Sequence, residues 1–365
     1  MPNIHDNDAA AADIEIVGLG PGGLAAALQS AADGKKIVAF TDRNEYIRGQ
    51  RLYLNAETIK FLKQHTDPED QLDTQFWKKF SDDGGTAQTK DIERYLLRKL
   101  NKYSNVTIIH ADRENPVAAV GKGESKNFIQ LSNGEKYYTR NILAADGARH
   151  SFADLMNRDL AAGIHYIKTS AQERHRYHAV VQLKLKAGFE PPDSLLTSSS
   201  ALSSYRAMSW DRFYKPKQII FSNHDKTKFY FAGEIPKHIF EIKDPAERSD
   251  KLKKWASAAI SEQFDITEDK LEYRISTKTP AKNRLQATVF EMEMMQTDKQ
   301  IVDLADGVFA QIGDARRTPD YFFGHGLNDA IKSGVSFAKG VTEDKFEKDA
   351  YTTVIKELTG ILKNA

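Results

Sequence analysis

Three glycines near the start of the chain, Gly18, Gly20 and Gly23, have a spacing that suits phosphate chemistry. A short apolar run (14–17) precedes them, and an alanine-rich helical run follows. In this setting the glycines permit a tight turn, close approach of a pyrophosphate to the backbone, and close packing of the helix on the strand. The positive N-terminus of the helix would face the phosphates. The pattern therefore predicts a dinucleotide-binding turn.

An acidic residue, Asp42, ends the next apolar run (37–40). Strand, glycine turn, helix, strand and acid together predict a βαβ unit over 13–42, with Asp42 placed to bind a ribose hydroxyl pair. The alternative is a tight strand-to-helix turn without a ligand, and the acid favours the dinucleotide. These residues leave open whether that dinucleotide is NAD(P) or FAD.

Two further pairs, Asp146-Gly147 and Gly313-Asp314, also follow apolar strands. An Asp at the carboxyl end of a parallel strand lies where doubly wound sheets bind ligands. Asp314 can accept hydrogen bonds from a polyol chain such as ribityl, and a helix starting near Gly326 offers main-chain donors to a flavin or a pyrophosphate. We therefore expect FAD, because NAD would need no second glycine–helix site so late in the chain.

The surrounding elements predict an α/β fold: a Rossmann-like FAD-binding domain with an inserted β-rich substrate domain and a C-terminal helix. One clear helix, about Pro245 to Gln263, interrupts the β-rich block. The predicted segments are a flexible N-terminal arm (1–12), a discontinuous FAD-binding domain (13–165 and 285–341), the β-rich substrate domain (166–284) and the C-terminal helix (342–365).

Two local patterns give specific secondary-structure predictions. Asn133-Gly134 predicts a hairpin between strands 127–131 and 136–139, followed by a separate apolar strand over 141–145. The small polar run 197–204 predicts a loop.

Composition excludes several classes of function. The chain has 365 residues, a net charge of +1 and no cysteine, so we expect no nucleic-acid partner, no disulfide and no thiolate metal site. His175 and His178 lie in a basic cluster without carboxylates at ligand spacing, so no metal site is expected. No apolar run approaches about 18 residues, so no membrane span is expected. The N-terminus lacks a signal-peptide pattern, and a cytoplasmic location is the expectation.

The motifs GLGPGG (18–23), ADGARHS (145–151) and GDARRTPDYFFGHGLNDA (313–330) occur in an order that resembles the class A flavoprotein monooxygenases, which have the p-hydroxybenzoate hydroxylase fold. This resemblance covers most of the chain. Within it, the segment 47–62 is locally most similar to the flavin domain of MICAL enzymes, which oxidise methionine in actin.

The resemblance implies roles for the residues in the first half of the site. The three glycines would hold the FAD pyrophosphate, and Asp42 would bind the adenosine ribose, where the family usually has Glu. Arg43 would lie near the adenine or the pyrophosphate, and Arg48 would reach the pyrophosphate. Asp146 and Gly147 would bridge FAD and NADPH, although the motif is longer here than is common.

For the second half, the resemblance implies that Gly313 and Asp314 bind the ribityl chain or the pyrophosphate. The residues expected to line the isoalloxazine are Pro319, Gly324, Gly326, Leu327 and Asn328. The candidates for a catalytic wall beside that ring are Tyr321, Phe322, Phe323 and His325, and no catalytic base is identified.

The resemblance further implies an FAD-dependent monooxygenase. NAD(P)H would reduce FAD, and a flavin hydroperoxide would insert one oxygen of O₂ into an organic or protein acceptor. NADPH would bind transiently, because the sequence has no second Gly-x-Gly-x-x-Gly motif. Arg316 and Arg317, beside the predicted cofactor, are expected to bind a phosphate or an acidic substrate, or to lie at the pocket mouth.

Other functions stay open at this point. One is an FAD-dependent oxidase, dehydrogenase or reductase on the same fold. Another is a protein-binding module in which the flavin is structural or lost. Oxidation of a protein methionine rests only on the local similarity to MICAL enzymes. A flavin halogenase is not expected, since Trp210 belongs to no Trp-x-Trp-x-Ile-Pro motif.

Overall fold

The chain divides into two compact units, each with its own sheet and its own hydrophobic core. A computed structural model describes residues 11–123, 126–168, 176–190, 196–199, 218–222, 227–275, 285–304, 306–318, 325–343 and 345–360. The first unit comprises Met1–Phe76, Ala87–Thr169 and Met294–Ala365, and the second comprises Trp77–Thr86 and Ser170–Glu293. This mixed α/β architecture confirms the predicted fold class, while the predicted domain boundaries stay a prediction.

Helices occur in both units and are numbered here in chain order. Those of the described residues are α1 (Pro21–Ala32), α2 (Ala56–Gln64), α3 (Gln71–Asp82), α4 (Thr89–Leu100), α5 (Ser151–Leu160), α6 (Lys237–Phe240), α7 (Pro245–Phe264), α8 (Gly326–Gly340) and α9 (Lys348–Gly360).

Strands are numbered in the same way. The first nine are β1 (Ala12–Val17), β2 (Ile37–Thr41), β3 (Arg51–Tyr53), β4 (Thr86–Gln88), β5 (Val106–His110), β6 (Val117–Lys122), β7 (Asn127–Leu131), β8 (Lys136–Ala144) and β9 (Tyr166–Lys168). The others are β10 (Tyr177–Leu185), β11 (Leu196–Ser199), β12 (Gln218–Ser222), β13 (Lys228–Glu234), β14 (Leu271–Tyr273), β15 (Ala287–Glu291), β16 (Met295–Thr297), β17 (Ile301–Asp303) and β18 (Val308–Gln311).

The main sheet of the first unit is built on five parallel strands in the order β5-β2-β1-β8-β18. Strand β17 extends it antiparallel to β18, and β6 and β7 form an antiparallel extension of β8. Val17 is in register with Phe40 and with Ala144, and Ala144 is in register with Gln311. The four strands therefore end at one edge, where ligands bind in doubly wound sheets.

Strand β8 differs from the prediction of a hairpin strand and a separate apolar strand, which was wrong. It is continuous: its first half pairs with β7 and its second half with β1 and β18. Asn141 is polar and interrupts the apolar pattern, but its amide is satisfied inside the sheet. Its Nδ2 donates to the Asp13 carbonyl at 3.1 Å, and its Oδ1 accepts from the Val308 amide at 3.2 Å.

Helices α1 and α8 pack unusually closely. A Cβ atom at Gly334 on α8 would lie 2.4 Å from the carbonyl oxygen of Gly22 on α1, and a Cβ at Gly22 would lie 2.9 Å from the Ala330 carbonyl oxygen. Only glycine permits this approach. The first helix of the chain and a late helix are therefore joined by backbone contact.

The second unit is an antiparallel sheet covered by α7. Strands follow the order β11-β12-β13-β10-β14, and β15 also pairs with β10. Trp255 and Ile260 of α7 are fully buried against the sheet with Phe231. The loop predicted over 197–204 is wrong in its first part, because β11 pairs with β12 through residue 199. The remainder of that segment lies outside the described residues.

The C-terminal helix α9 begins at Lys348 and packs into the first unit. Its Tyr351 is fully buried and donates its hydroxyl to the Gln311 carbonyl at 2.9 Å. Within the described ranges, none of the helices has both the length and the apolar character that crossing a membrane requires.

The α1–α8 contact predicts that Gly334→Ala is destabilising. Alanine gains about 1 kcal/mol in helix propensity over glycine. The overpacked contact with the Gly22 carbonyl costs more than this, so we expect a net loss of about 1–3 kcal/mol in the free energy of unfolding. Urea denaturation measures the loss. Lys339→Ala, on the exposed side of the same helix, is the control and should change stability by less than about 0.5 kcal/mol. Equal stability of both variants would contradict the contact.

Candidate functional site

The glycine turn between β1 and α1 is formed by backbone that excludes side chains. Gly18 has a φ of +100°, and a Cβ there would lie 2.4 Å from the Ala145 carbonyl oxygen. A Cβ at Gly23 would lie 2.0 Å from the Gly18 oxygen. Gly20 differs, because the nearest atoms to its Cβ position are those of the Arg43 guanidinium, at 3.8 Å and beyond. The turn is therefore open at Gly20, on the side of a cationic group.

The N-terminus of α1 lies beside this opening. Gly20 is the N-cap residue and provides no capping side chain, and Pro21 occupies the first turn. The first N–H groups of a helix have no partner within the helix and carry its positive dipole end. The opening and the helix terminus together fit a phosphate group.

Arg43 and Arg48 follow β2 and supply cationic groups to the same region. Arg43 Nη1 donates to Glu93 Oε1 at 2.7 Å, and the Glu93 side chain is fully buried. Arg48 retains an exposed side chain and lies within electrostatic range of Asp314. Desolvation and the neighbouring Arg43 lower the pKa of Arg48, whereas Glu93 and Asp314 act against this shift.

Hydrogen bonds hold the segment that carries these arginines. The Tyr46 hydroxyl donates to the Leu19 carbonyl within the glycine turn at 2.8 Å. The Lys90 amide donates to the Arg48 carbonyl at 2.9 Å, which fixes the segment to the start of α4. Burial and then Glu93 raise the pKa of Tyr46 to about 12, so its hydroxyl remains a donor at neutral pH.

Asp42 lies where the sequence places it, directly after β2. Its side chain is 45% exposed, and its Oδ2 accepts from Arg149 Nη2 at 2.8 Å. Because both partners are exposed, this ion pair is weak and leaves Asp42 accessible to a hydroxyl-bearing ligand. The carboxylate is therefore held in position without being buried.

A cavity of about 550 Å³ opens beside the end of β2. Its walls combine apolar side chains of Leu19, Leu97 and Ile108 with polar ones of Arg43 and His110. Volumes of 300–1,000 Å³ with mixed walls are typical of small-ligand sites. The cavity lies next to Thr41, one residue from Asp42, which suits the nucleoside part of a ligand.

The ends of β8 and β18 form the other half of the site. Gly147 and Gly313 have φ angles of +77° and +56° and lie in two short 3-10 turns that pack together. Asp146 Oδ2 accepts from the Phe152 amide and the Ser151 hydroxyl, both at 3.0 Å, and so caps α5. Burial raises the pKa of Asp146 and also that of Asp314, whose shift Arg48 opposes.

The start of α8 contains His325, Gly326, Leu327 and Asn328. Leu327 is buried, and His325 is the half-buried N-cap residue. The amide of Asn328 bonds main chain: its Oδ1 accepts from the Asn55 amide at 3.1 Å and its Nδ2 donates to the Tyr53 carbonyl at 3.0 Å. Asn328 thus fixes the segment before α2.

The other predicted ring-lining residues lie outside the described residues. These are Pro319, Tyr321, Phe322, Phe323 and Gly324. Their roles stay predictions. Among the described residues, no cluster of three or more His, Asp or Glu side chains could hold a metal ion.

Arg316 and Arg317 have different environments. Arg316 is 2% exposed, and its Nη1 lies 3.4 Å from the Thr359 hydroxyl of α9. Arg317 is half-buried, and its Nε and Nη1 have no acceptor within the described part of the chain. Burial lowers the pKa of both guanidinium groups. Arg316 therefore contacts the C-terminal helix, rather than lying at a pocket mouth.

The sequence patterns miss Glu93, which neutralises Arg43. Glu93 lies three residues before Leu96 and four before Leu97, on the same face of α4 as these apolar residues. A carboxylate on the apolar face of a helix is unusual unless it is paired. The position of Glu93 on the apolar face of α4 is therefore the sequence feature that could have identified it as a paired carboxylate.

Comparison with known proteins shows a shared fold. No protein-family profile and no curated protein matches the sequence. The p-nitrophenol 4-monooxygenase PnpA from Pseudomonas putida DLL-E4 is 12% identical with a TM-score of 0.61, and the alignment covers 95% of this chain and 83% of PnpA. The flavin-dependent brominase Bmp2 is 14% identical with a TM-score of 0.61, with coverage of 94% and 80%. The flavin-dependent monooxygenase PieE, solved with FAD and substrate, is 14% identical with a TM-score of 0.62, with coverage of 93% and 58%.

The Arg43–Glu93 pair predicts a pH-dependent effect of Arg43→Met. Burial already raises the pKa of Glu93, with Arg43 and Arg48 opposing, and loss of Arg43 raises it further. A carboxyl group whose pKa is higher in the folded than in the unfolded state contributes its full stabilisation at pH values below the unfolded-state pKa. This stabilisation is lost as the pH rises through the folded-state pKa. We expect a loss of about 2 kcal/mol at pH 8 and a clearly smaller loss at pH 5.5, measured by urea denaturation.

The matched control for this prediction is the double variant Arg43→Met/Glu93→Gln. This variant has no carboxylate at position 93 to titrate. Its stability relative to the unsubstituted protein should therefore vary less between the two pH values. An Arg43→Met loss of equal size at pH 8 and pH 5.5 would show that Glu93 is not the responsible group.

Proposed function

We propose that the protein is an FAD-dependent monooxygenase reduced by NAD(P)H. The observation that carries this proposal is that the glycine turn and the Gly313-Asp314 turn, from opposite ends of the chain, lie at one sheet edge: a Cβ at Gly22 would lie 3.1 Å from Ile312 Cδ1, and Arg48 interacts electrostatically with Asp314. A βαβ unit that binds a mononucleotide needs only the glycine turn and not the second turn at Gly313-Asp314. Two half-sites at one sheet edge fit a ligand as extended as FAD.

In this proposal the first half-site binds the adenosine and pyrophosphate parts of FAD. Asp42 accepts hydrogen bonds from the ribose, and the neighbouring cavity receives the adenine. The pyrophosphate lies at Gly20, where the N-terminus of α1 and the Arg43 guanidinium supply donors. Arg48 adds a second exposed cation.

The second half-site orients the flavin. Asp314 binds the ribityl chain, and the N-terminus of α8, at Gly326, faces the ring system. When bound, FAD supplies the redox chemistry and the activation of O₂. The protein's task is then to hold the ring and to exclude water, for which Tyr321, Phe323 and His325 are the proposed residues.

NAD(P)H is proposed to bind transiently, without a glycine motif of its own. Asp146 caps α5 through its Oδ2, and its Oδ1 is buried. We propose that NAD(P)H binds beside the Asp146-Gly147 turn at the exposed Arg149, which offers a phosphate a charged partner.

The acceptor is proposed to be a small organic molecule. The solved neighbours include aklavinone-11 hydroxylase in complex with FAD and aklavinone, at 14% identity. Segment 47–62, which is locally similar to MICAL enzymes, is linked to the proposed flavin half-site: Arg48 interacts electrostatically with Asp314, and the Asn55 amide donates to Asn328 Oδ1. The local similarity is therefore explained by flavin binding, and it gives no separate support to a protein acceptor.

The test is reduction of the bound flavin. Purified protein reconstituted with FAD should be yellow, and anaerobic NADPH or NADH should bleach it. Admission of O₂ should then reoxidise it. Protein that takes up no FAD would overturn the proposal, as would bound FAD that neither nicotinamide reduces. Stoichiometric peroxide release with every aromatic acceptor tried would instead identify the oxidase alternative.

Asp42 gives a prediction on cofactor affinity. Asp42→Ala removes the carboxylate that accepts from the ribose, so we expect about tenfold weaker FAD binding by the apo-protein, measured by quenching of flavin fluorescence. The fold should persist, because Asp42 is exposed and its one ion pair is weak. Arg149→Ala is the matched control: it breaks the same ion pair but leaves the carboxylate. Similar losses in both variants would contradict the proposed role of Asp42.

A further inference from the structure

His150 is held in an unfavourable environment beside the predicted flavin site. It is 7% exposed and has φ +54° and ψ +18°, the left-handed region. Both ring nitrogens are buried and have no hydrogen-bond partner among the described residues. A left-handed conformation costs a non-glycine residue about 1–2 kcal/mol, and a buried unpaired polar group costs about 1–3 kcal/mol. Such residues concentrate at functional sites.

The imidazole is nevertheless held firmly. It stacks on the ring of Tyr166 with centroids 3.9 Å apart. The Tyr166 hydroxyl lies 2.6 Å from Gln311 Oε1 and 2.8 Å from the Ala315 carbonyl oxygen. Tyr166 is thereby fixed to the turn that carries Asp314, and it places the His150 ring at that turn.

Two carboxyl groups lie within electrostatic range of the ring. Asp146 and Asp314 both interact electrostatically with His150. Asp146 Oδ1 is buried and unpaired within the described ranges, while its Oδ2 caps α5. The cluster therefore combines two carboxyl groups with one imidazole, which makes it rich in acceptors.

This composition selects the chemistry of a ligand. A phosphate offers only acceptor oxygens and would face two carboxyl groups. A hydroxyl group both donates and accepts, so it can satisfy an imidazole nitrogen and a carboxyl oxygen together. The cationic donors that suit a phosphate are Arg43, beside the glycine turn, and Arg48, which interacts electrostatically with both Arg43 and Asp314 and so lies within range of both half-sites.

We infer that His150 is a further cofactor-binding residue, which hydrogen-bonds the hydroxyl groups of the flavin's polyol chain together with Asp314. This inference rests on the proposed FAD function and adds to it a residue that the motifs do not identify. It also explains the strain: the ligand supplies the missing partners for the ring nitrogens.

The test compares two ligands on the apo-protein by calorimetry, FAD and ADP, because ADP lacks the polyol chain. His150→Phe keeps a ring over Tyr166 and removes both nitrogens. We expect FAD binding to weaken about tenfold and ADP binding to change less than about twofold. The melting temperature of the apo-protein should change little, because removal of the unpaired polar nitrogens offsets the cost of a phenylalanine in the left-handed region. His150→Asn, which tolerates the left-handed conformation and keeps a donor and an acceptor, should retain more FAD affinity than His150→Phe.

The other outcomes separate the inference from the proposed function. Unchanged FAD affinity in His150→Phe, with a clear loss in Asp314→Asn, would overturn the role of His150 and leave the proposed function standing. Loss of both FAD and ADP affinity with a lowered melting temperature would show a structural role and overturn the inference. If the unsubstituted protein binds ADP but not FAD, the proposed function fails, and the inference fails with it.

Discussion

The first unit depends on the close meeting of backbone segments around the turn between β1 and α1. Gly18 lies against the end of β8, and Gly23 lies against the Gly18 carbonyl, at distances that admit no side chain. The same kind of contact joins α1 to α8 at Gly22 and Gly334. Because α8 comes from near the other end of the chain, this packing places the late Gly313-Asp314 turn at the sheet edge that holds the first motif. Any side chain at these positions would separate the two halves of the site.

The site formed in this way has its cationic groups and its carboxyl groups on different segments. The N-terminus of α1 and Arg43 supply donors at the glycine turn, Asp146 and Asp314 supply carboxyl groups after β8 and β18, and Arg48 interacts electrostatically with Asp314. The charges of Glu93 and Asp314 offset the electrostatic repulsion between Arg43 and Arg48 in this partly desolvated region. A ligand with phosphates in its middle and hydroxyl groups towards one end is oriented by this division, before its reactive ring makes any specific contact.

The main parallel strands, the glycine turn and the positions of Asp42 and Asp314 were predictable, because each depends on local periodicity or on a fixed spacing. The remainder depends on partners distant in sequence. Strand β8 reads as two strands because Asn141 is polar, and only its bonds to two neighbouring strands explain its place in a sheet. Helix α5 has the local start pattern Ser151-x-x-Asp154, but the carboxylate that caps it is Asp146, six residues before the Phe152 amide that it accepts from. The role of Glu93 can be assigned only when its partner Arg43, 50 residues earlier in the chain, is known to lie beside it.

Unpaired buried polar groups do not by themselves mark a functional site, and Glu15 shows why. It lies in the middle of β1, is fully buried, and neither of its carboxyl oxygens has a partner of normal hydrogen-bond geometry among the described residues. Burial raises its pKa well above the usual range, and the main chain of Ile129 offsets only part of this effect. A neutral acid inside a sheet can be tolerated, since protonation removes the cost of burying the charge. His150 differs in two respects: its backbone is strained, and it lies at the carboxyl end of the strands within electrostatic range of two carboxyl groups. The combination of strain, position and an acceptor-rich neighbourhood, rather than the lack of partners alone, is what distinguishes a residue prepared for a ligand from one that is merely buried.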